Sequence, residues 1–271
     1  MTSGRTLSQR GEKETLAIVQ NKSATTHSYS IQAFINSNGF CAKKLFIVLQ
    51  EKGGSFGPLV RQEIETYMPP NVLVECSSSG KLSNYLIEVA FTLVLKPETY
   101  GRCLILQDSW SGQSKMDRVK ELFDANQLEI MTLPPKSTKY VQPLDVYFFR
   151  QYKIITRRLT DAFRCSMAYS SEPSKIYDRQ FVIRLQSFAY NQLCGSKFRN
   201  MILYAWKKAG YDIPEPVTYF QNVNEVCFAG VIGSCFEDDC LESAIIICSH
   251  FENQIRESHC LYPLHLHIDD D

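Results

Sequence analysis

The chain has 271 residues, of which 44% are hydrophobic, so it can bury a sizeable core and need not be disordered. Its 29 lysines and arginines balance its 29 aspartates and glutamates, which argues against a protein that binds DNA tightly through an overall basic charge. No run of about 18 or more apolar residues occurs and the N-terminus is polar, so neither a transmembrane helix nor a secretory signal is expected. Ten scattered cysteines indicate free thiols in a reducing compartment.

Strand and helix patterns alternate along the chain after a polar stretch, residues 1–22. β-Branched, aromatic or continuous apolar runs predict strands over residues 26–34, 44–50, 71–76, 103–107 and 128–133. Apolar residues at helical spacing predict helices over residues 60–67, 81–95, 116–125, 176–193 and 198–209, and a long helix that begins near Pro143. Because residues 36–39 form a turn pattern, the first two strands are predicted to pair as an antiparallel hairpin.

Two acidic residues, Asp108 and Asp145, lie in opposite local settings. Asp108 ends a short apolar run typical of a buried parallel strand, whereas Asp145 follows Gln142 and Pro143 at the start of the long helix. Ligand sites in open α/β sheets lie at the carboxyl ends of strands, so the two carboxylates can face one cleft. Taken alone, Asp108 could also be a turn former, and Asp145 a first-turn residue favoured by the helix dipole.

Longer sequence patterns surround the two aspartates. Residues 106–112 read Leu-Gln-Asp-Ser-Trp-Ser-Gly, and residues 133–145 read Leu-Pro-Pro-Lys-Ser-Thr-Lys-Tyr-Val-Gln-Pro-Leu-Asp. These patterns resemble the catalytic domain of DDE superfamily endonucleases, the transposases of the pogo/Tigger/mariner group, and the resemblance spans residues 3–210. It implies an α/β fold with a ribonuclease-H-like mixed sheet flanked by helices. It also matches Asp108 and Asp145 to the second and third acidic residues of the family triad, while Gln113 stands where relatives often carry His.

The resemblance makes Asp108 and Asp145 the catalytic and metal-binding residues. A DDE nuclease uses two Mg²⁺ or Mn²⁺ ions, about 3.5–4 Å apart, to stabilise the attacking and leaving oxygens, and such ions prefer oxygen ligands. The family's first acidic residue lies on its first strand, but the chain has no Asp before Asp108. We therefore expect an N-terminally truncated sheet that lacks this strand, unless residues 14–20 partly replace it, and we predict little or no strand cleavage.

Basic residues follow Asp145 along the predicted long helix. Arg150, Lys153, Arg157 and Arg164 recur at spacings of three, four and seven, so they share one face, and the first three are the predicted DNA-binding residues. One interpretation is a row that follows the phosphates of bound DNA. The other is an ordinary solvated face beside the core.

The C-terminal part of the sequence is rich in potential zinc ligands. They are Cys235, Cys240, Cys248, His250, His259, Cys260, His265 and His267. Structural Zn²⁺ favours such residues in closely spaced pairs, but no clean set of pairs occurs, so a zinc site, a decayed site and free thiols all remain open. The predicted domains are a catalytic core over residues 1–165, a helical extension over residues 166–213 and an irregular tail over residues 214–271.

Three functions follow from the resemblance. The first is a nuclear DDE endonuclease domain that cleaves or transfers DNA strands, with DNA and further copies of the chain as partners. The second is a catalytically dead, transposon-derived protein that binds DNA or another protein. The third is a non-functional remnant of a mobile element. The missing first Asp separates the first function from the other two, and no membrane partner is expected.

Overall fold

A computed structural model of the chain describes residues 28–110, 117–123, 127–167, 178–213, 217–231, 244–250 and 254–255. Its strands are β1 (Tyr29–Gln32), β2 (Leu45–Gln50), β3 (Val72–Ser77), β4 (Cys103–Gln107), β5 (Leu128–Thr132), β6 (Ile246–Ile247) and β7 (Gln254–Ile255). Its helices are α1 (Pro58–Tyr67), α2 (Asn84–Ala90), α3 (Asp117–Leu122), α4 (Thr138–Val141), α5 (Phe149–Met167), α6 (Arg179–Cys194) and α7 (Arg199–Lys208). π-Helical turns occupy Phe91–Leu95, Leu144–Phe148 and Asn224–Phe228. The predicted mixed α/β class with flanking helices is confirmed, and the described strands form small separate sheets; the ribonuclease-H-like single sheet stays a prediction.

The first sheet has the strand order β1–β2–β3. β1 and β2 are antiparallel, as the hairpin pattern predicts, and Gly39 in the connecting turn takes a φ of 88°, a value that favours glycine. β3 runs parallel to β2, with Phe46 opposite Leu73. A parallel pair needs a crossover connection, and α1 supplies it.

The second sheet consists of β4 and β5 alone, which run parallel with α3 between them in sequence. On one face, Ile105 and Ile130 pack towards a hydrophobic cluster. On the other face, Leu104 and Met131 are 51% and 49% exposed. The described residues therefore cover this sheet on one side.

A single helix, α2 extended by the π-helical turn Phe91–Leu95, contacts both sheets. Leu86 packs with Phe46 and Val48 of β2, while Ile87 and Phe91 pack in the cluster that includes the inner face of β4 and β5. The helix therefore joins the two sheets. Within the described chain, β1 pairs only with β2, and β4 pairs only with β5.

The largest hydrophobic core lies between the first sheet and the helical layer of α5, α6 and α7. Tyr152, Ile155 and Leu159 of α5 are buried in it, in agreement with the predicted apolar face of this helix. Tyr152 donates a hydrogen bond from Oη to Gln186 Oε1 at 2.7 Å, and Gln186 Nε2 donates to Tyr29 Oη at 3.0 Å. These bonds connect β1, α5 and α6 through satisfied polar groups.

The described parts of the C-terminal segment pack onto the same core. Ile246 is buried in the main cluster, and Ser249 donates from Oγ to the Gln192 carbonyl at 2.7 Å. His250 donates from Nε2 to the Asn191 carbonyl at 2.9 Å. The segment thus adds hydrogen bonds to carbonyls in the last turn of α6. The predicted divisions near residues 165 and 213 stay predictions.

No helix in the described ranges is both long and apolar enough to cross a membrane.

Candidate functional site

Asp108 lies directly after β4, at the carboxyl end of the parallel pair β4–β5. The buried residue before it, Gln107, donates from Nε2 to Thr132 Oγ1 at 3.1 Å, and its carbonyl accepts from the Leu133 N–H at 2.8 Å. The Asp108 carboxylate accepts a hydrogen bond from the Ser109 N–H at 2.6 Å. The Asp108 carboxylate is half buried. It lies at the end of β4, and the hydrogen bonds of Gln107 fix this strand end against β5.

The second stretch of the DDE-like pattern forms the connection from β5 to α5. Leu133 is buried, Ser137 Oγ donates to the Pro134 carbonyl at 2.6 Å, and Lys136 takes a φ of 65° in the turn. The short helix α4 follows, and Pro143 is the N-cap residue directly before the π-helical turn Leu144–Phe148. Proline suits this position because a helix start does not use its missing N–H.

Asp145 lies in the first turn of that π-helical segment, and its N–H donates to the Gln142 carbonyl at 3.0 Å. π-Helical turns are rare and are frequently found at functional sites. Desolvation by the surrounding protein raises the pKa of the Asp145 carboxyl, the negative charge of Asp108 raises this pKa further, and Lys153 lowers it. The Asp108 carboxylate is thus close enough for its charge to disfavour ionisation of Asp145.

Carboxylates are the type of ligand that a hydrated divalent cation uses. Because Mg²⁺ keeps several waters and binds through one or two carboxylates, Asp108 and Asp145 match that type of ligand, and a metal site there stays a prediction. Over the ranges that the structure describes, no three His, Cys, Asp or Glu side chains come together in a group that could hold a metal. The third carboxylate of a two-ion centre is therefore not among the described residues, and the fit does not extend to a pair of bridged ions.

The predicted DNA-binding residues lie on the solvent side of α5. Arg150, Lys153 and Arg157 are all exposed, while Tyr152 and Ile155 between them are buried. The charge of Lys153 lowers the pKa of Asp145. The exposure of all three residues agrees with the predicted common face.

Two side chains near this site were not found by sequence reasoning. Tyr147 follows Asp145 by two residues, and the Lys208 ammonium lies 5.3 Å from the centroid of its ring. Lys208 ends α7, 63 residues further along the chain than Asp145 (208 − 145). The sequence contains no local signal for this neighbour because only the packing of α7 against the π-helical turn brings the two together.

The predicted zinc ligands fall mostly outside the described residues; these are Cys235, Cys240, His259, Cys260, His265 and His267. Of the two that are described, Cys248 is fully buried beside Gln192 Nε2 at 3.9 Å, and His250 bonds to the Asn191 carbonyl. Both contacts support the end of α6. The zinc site stays a prediction.

Comparisons with known proteins found no match to this chain, whether among protein-family models, curated proteins or solved structures. The resemblance to DDE endonucleases therefore depends on the two sequence patterns around Asp108 and Asp145.

Proposed function

We propose that this chain is a transposase-derived, nucleic-acid-binding protein of DDE endonuclease ancestry that no longer cleaves DNA. One observation carries the proposal. Asp108 at the end of β4 and Asp145 in the π-helical turn interact as like charges, yet the described part of the chain brings no third acidic group to them. The two carboxylates correspond in type and in local setting to the second and third acidic residues of the family.

The strand arrangement supports a ribonuclease-H-like ancestry for the fold. β1 and β2 form an antiparallel hairpin, β4 and β5 are parallel, and one helix packs on both sheets. In the proposal, the two sheets are parts of one mixed sheet, and the strand that carries the first acidic residue belongs between β1 and β4. Residues 14–20, the candidate for part of that strand, lie outside the described residues.

The exposed side chains of α5 suit a polyanion. Arg150, Lys153 and Arg157 present three positive charges on one helix face, and phosphate contacts of this kind supply most of the affinity in non-specific DNA binding. A divalent ion at Asp108 and Asp145 would neutralise the pair and offer a further contact to a phosphate oxygen. Strand cleavage needs two ions held together, and two carboxylates alone do not provide that. With DNA as the partner, the nucleus is the expected location of the protein.

DNA binding and nicking by the whole chain test this proposal. We expect salt-sensitive binding to labelled DNA, and no nicking of supercoiled plasmid in Mn²⁺ beyond the level of Asp108→Asn. Replacing Arg150, Lys153 and Arg157 together with Ala should lower the slope of log affinity against log salt by about 0.9 for each phosphate that the protein no longer neutralises.

The matched control replaces three exposed lysines outside α5, Lys52, Lys81 and Lys96, with Ala. This variant has the same net charge as the α5 variant and should keep most of the wild-type slope. Equal losses in the two variants would refute a role for α5, and nicking by the wild type that Asp108→Asn abolishes would refute the loss of cleavage. Absence of DNA binding at low salt would refute the proposed function.

A further inference from the structure

Three aromatic residues form a cluster beside the π-helical turn, which we name the aromatic platform: Tyr147, Tyr204 and Phe220. The Tyr204 and Phe220 rings are stacked with centroids 4.4 Å apart. Tyr147 meets Tyr204 and Phe220 edge-on at 5.1 and 5.7 Å. All three residues are only partly buried, so the platform borders the surface. It connects the turn that carries Asp145, the helix α7 and the segment after α7.

Lys208 lies over this platform with its ammonium 5.3 Å from the centroid of the Tyr147 ring and 5.7 Å from that of Tyr204. Attraction between a cation and an aromatic face acts within about 6 Å, so two rings define the position of the charge. Lys208 is exposed, and none of the described carboxylates forms an ion pair with it. Its positive charge is thus oriented by the protein and accessible to an anion.

Arg150 connects this cation to the row on α5. Arg150 follows Tyr147 by three residues and precedes Lys153 by three, a spacing at which helical side chains lie on one face, and both cations are exposed. The cations therefore continue from Lys153 past Arg150 to Lys208. Glu225 is the acidic neighbour of Tyr147, and it already accepts a hydrogen bond from the Asn222 N–H at 2.7 Å.

We infer that Lys208 is a phosphate-binding residue, held in place by the aromatic platform, and that it extends the nucleic-acid surface from α5 onto α7. A bound strand would then cross the platform between the two helices. The inference rests on the proposed function and deepens it, because it names a contact residue and a path for the phosphodiester backbone. The simpler alternative is that the Lys208 stem only covers the two rings.

Three variants of the whole chain separate these two roles. Lys208→Met keeps an apolar stem over the rings and removes the charge, Lys208→Arg keeps the charge, and Lys207→Met removes the charge of an exposed neighbour on the same helix. Affinity for duplex and for single-stranded DNA is measured against salt concentration. Thermal unfolding of each variant checks that the fold is retained.

For a phosphate contact, Lys208→Met should weaken binding to every DNA sequence equally and lower the salt slope by about 1. Lys208→Arg and Lys207→Met should keep the wild-type slope. A wild-type slope for Lys208→Met overturns the inference, as does an equal loss for Lys207→Met, which would reflect net charge alone. If only the α5 variant has a reduced slope, the inference fails and the proposed function stands; if the wild type does not bind DNA, both fail.

A fourth variant tests the platform itself. Tyr204→Leu keeps apolar packing but removes one of the two rings beneath the ammonium, so binding should weaken by less than in Lys208→Met. Full wild-type affinity in Tyr204→Leu would show that the platform does not position Lys208 and would overturn that part of the inference.

Discussion

The two sheets of this protein differ in how completely they are covered. In β2, the five residues from Leu45 to Leu49 are each no more than 4% exposed, because α2 packs on one face and α5 and α6 pack on the other. In β4 and β5, one face packs against α2 and the other exposes Leu104 and Met131. Of the two sheets, the first is therefore the more completely buried and should contribute more hydrophobic stabilisation.

The less protected sheet is the one that carries the candidate site. Asp108 ends β4, and Asp145 follows the connection that leaves β5. Regions with few buried contacts open locally at lower free energy than the core, and functional segments are commonly drawn from them. The first sheet is therefore the more completely buried one, and the second carries the candidate site; each of the following changes tests this difference between them.

The largest effect is expected from Phe46→Ala in β2. Phe46 is fully buried, and removing a buried phenyl ring loses its transfer free energy and leaves a cavity, at a cost of about 3–5 kcal/mol. Since whole domains are stable by only about 5–15 kcal/mol, the loss should be obvious in urea unfolding. A cost below about 1 kcal/mol would mean that the first sheet is not the main source of stability.

Tyr190→Phe should have the next largest effect. Tyr190 is fully buried, and its hydroxyl donates to the Ala42 carbonyl at 2.7 Å, which links α6 to the chain just before β2. The phenylalanine leaves that carbonyl without its donor, at about 1–3 kcal/mol. Tyr140→Phe, at a tyrosine that is 65% exposed, is the control and should leave the urea midpoint unchanged.

A smaller, pH-dependent effect is expected from Asp108→Asn, which keeps the acceptor for the Ser109 N–H and removes the charge. Because the pKa of Asp145 is raised in the folded protein, folding holds this proton more tightly than the unfolded chain does. The free energy of unfolding therefore falls as pH rises from the ordinary Asp range through the raised pKa. Asp108→Asn should lower the pKa of Asp145 and lessen this fall.

Carboxyl NMR titration in the absence of divalent ions measures this pKa directly. Urea unfolding at several pH values should show the variant gaining on the wild type as pH rises, with no gain at a pH below the ordinary Asp range. An unchanged pKa of Asp145 in Asp108→Asn would contradict the electrostatic link between the two carboxylates.

The smallest effect is expected from Leu104→Thr on the open face of β4. Leu104 is 51% exposed, threonine suits a strand, and surface substitutions usually change stability by about 0.5 kcal/mol or less. Urea unfolding of this variant beside Phe46→Ala gives the contrast directly. A loss of about 2 kcal/mol in the free energy of unfolding would show that the outer face of the second sheet is covered in solution. The two sheets would then not differ in burial as described.

Local sequence patterns predicted most of the elements because periodicity and turn chemistry are local properties. The strand at residues 103–107 has the predicted bounds, and the helix predicted from residue 81 begins at Asn84 because Ser83 caps it, its Oγ accepting from the Leu86 N–H at 3.3 Å. Phe188 and Tyr190 of the helix predicted over residues 176–193 are buried in the core. Tyr204 of the helix predicted over residues 198–209 is only partly buried, and it belongs to the aromatic platform at the surface.

Features that depend on distant parts of the chain could not be predicted from local patterns. The parallel pairing of β2 with β3 follows from the crossover through α1, and the contact of Lys208 with Tyr147 follows from helix packing. The candidate aspartates were found because each stands at an element boundary, a strand end and a helix start. The effect of Asp108 on the pKa of Asp145 could be seen only in the three-dimensional structure.

The length of the π-helical turn Leu144–Phe148 determines the direction in which Asp145 leaves the helix axis, relative to the buried face of α5. A π-helical turn closes its hydrogen bonds over one more residue than an α-helix, and each α-helical residue advances about 100° around the axis. Deleting one residue from this turn would swing Asp145 by about that angle, while Tyr152 and the rest of the buried face of α5 stayed in register. The length of one turn, independent of any side-chain identity, thus determines whether Asp145 meets Asp108.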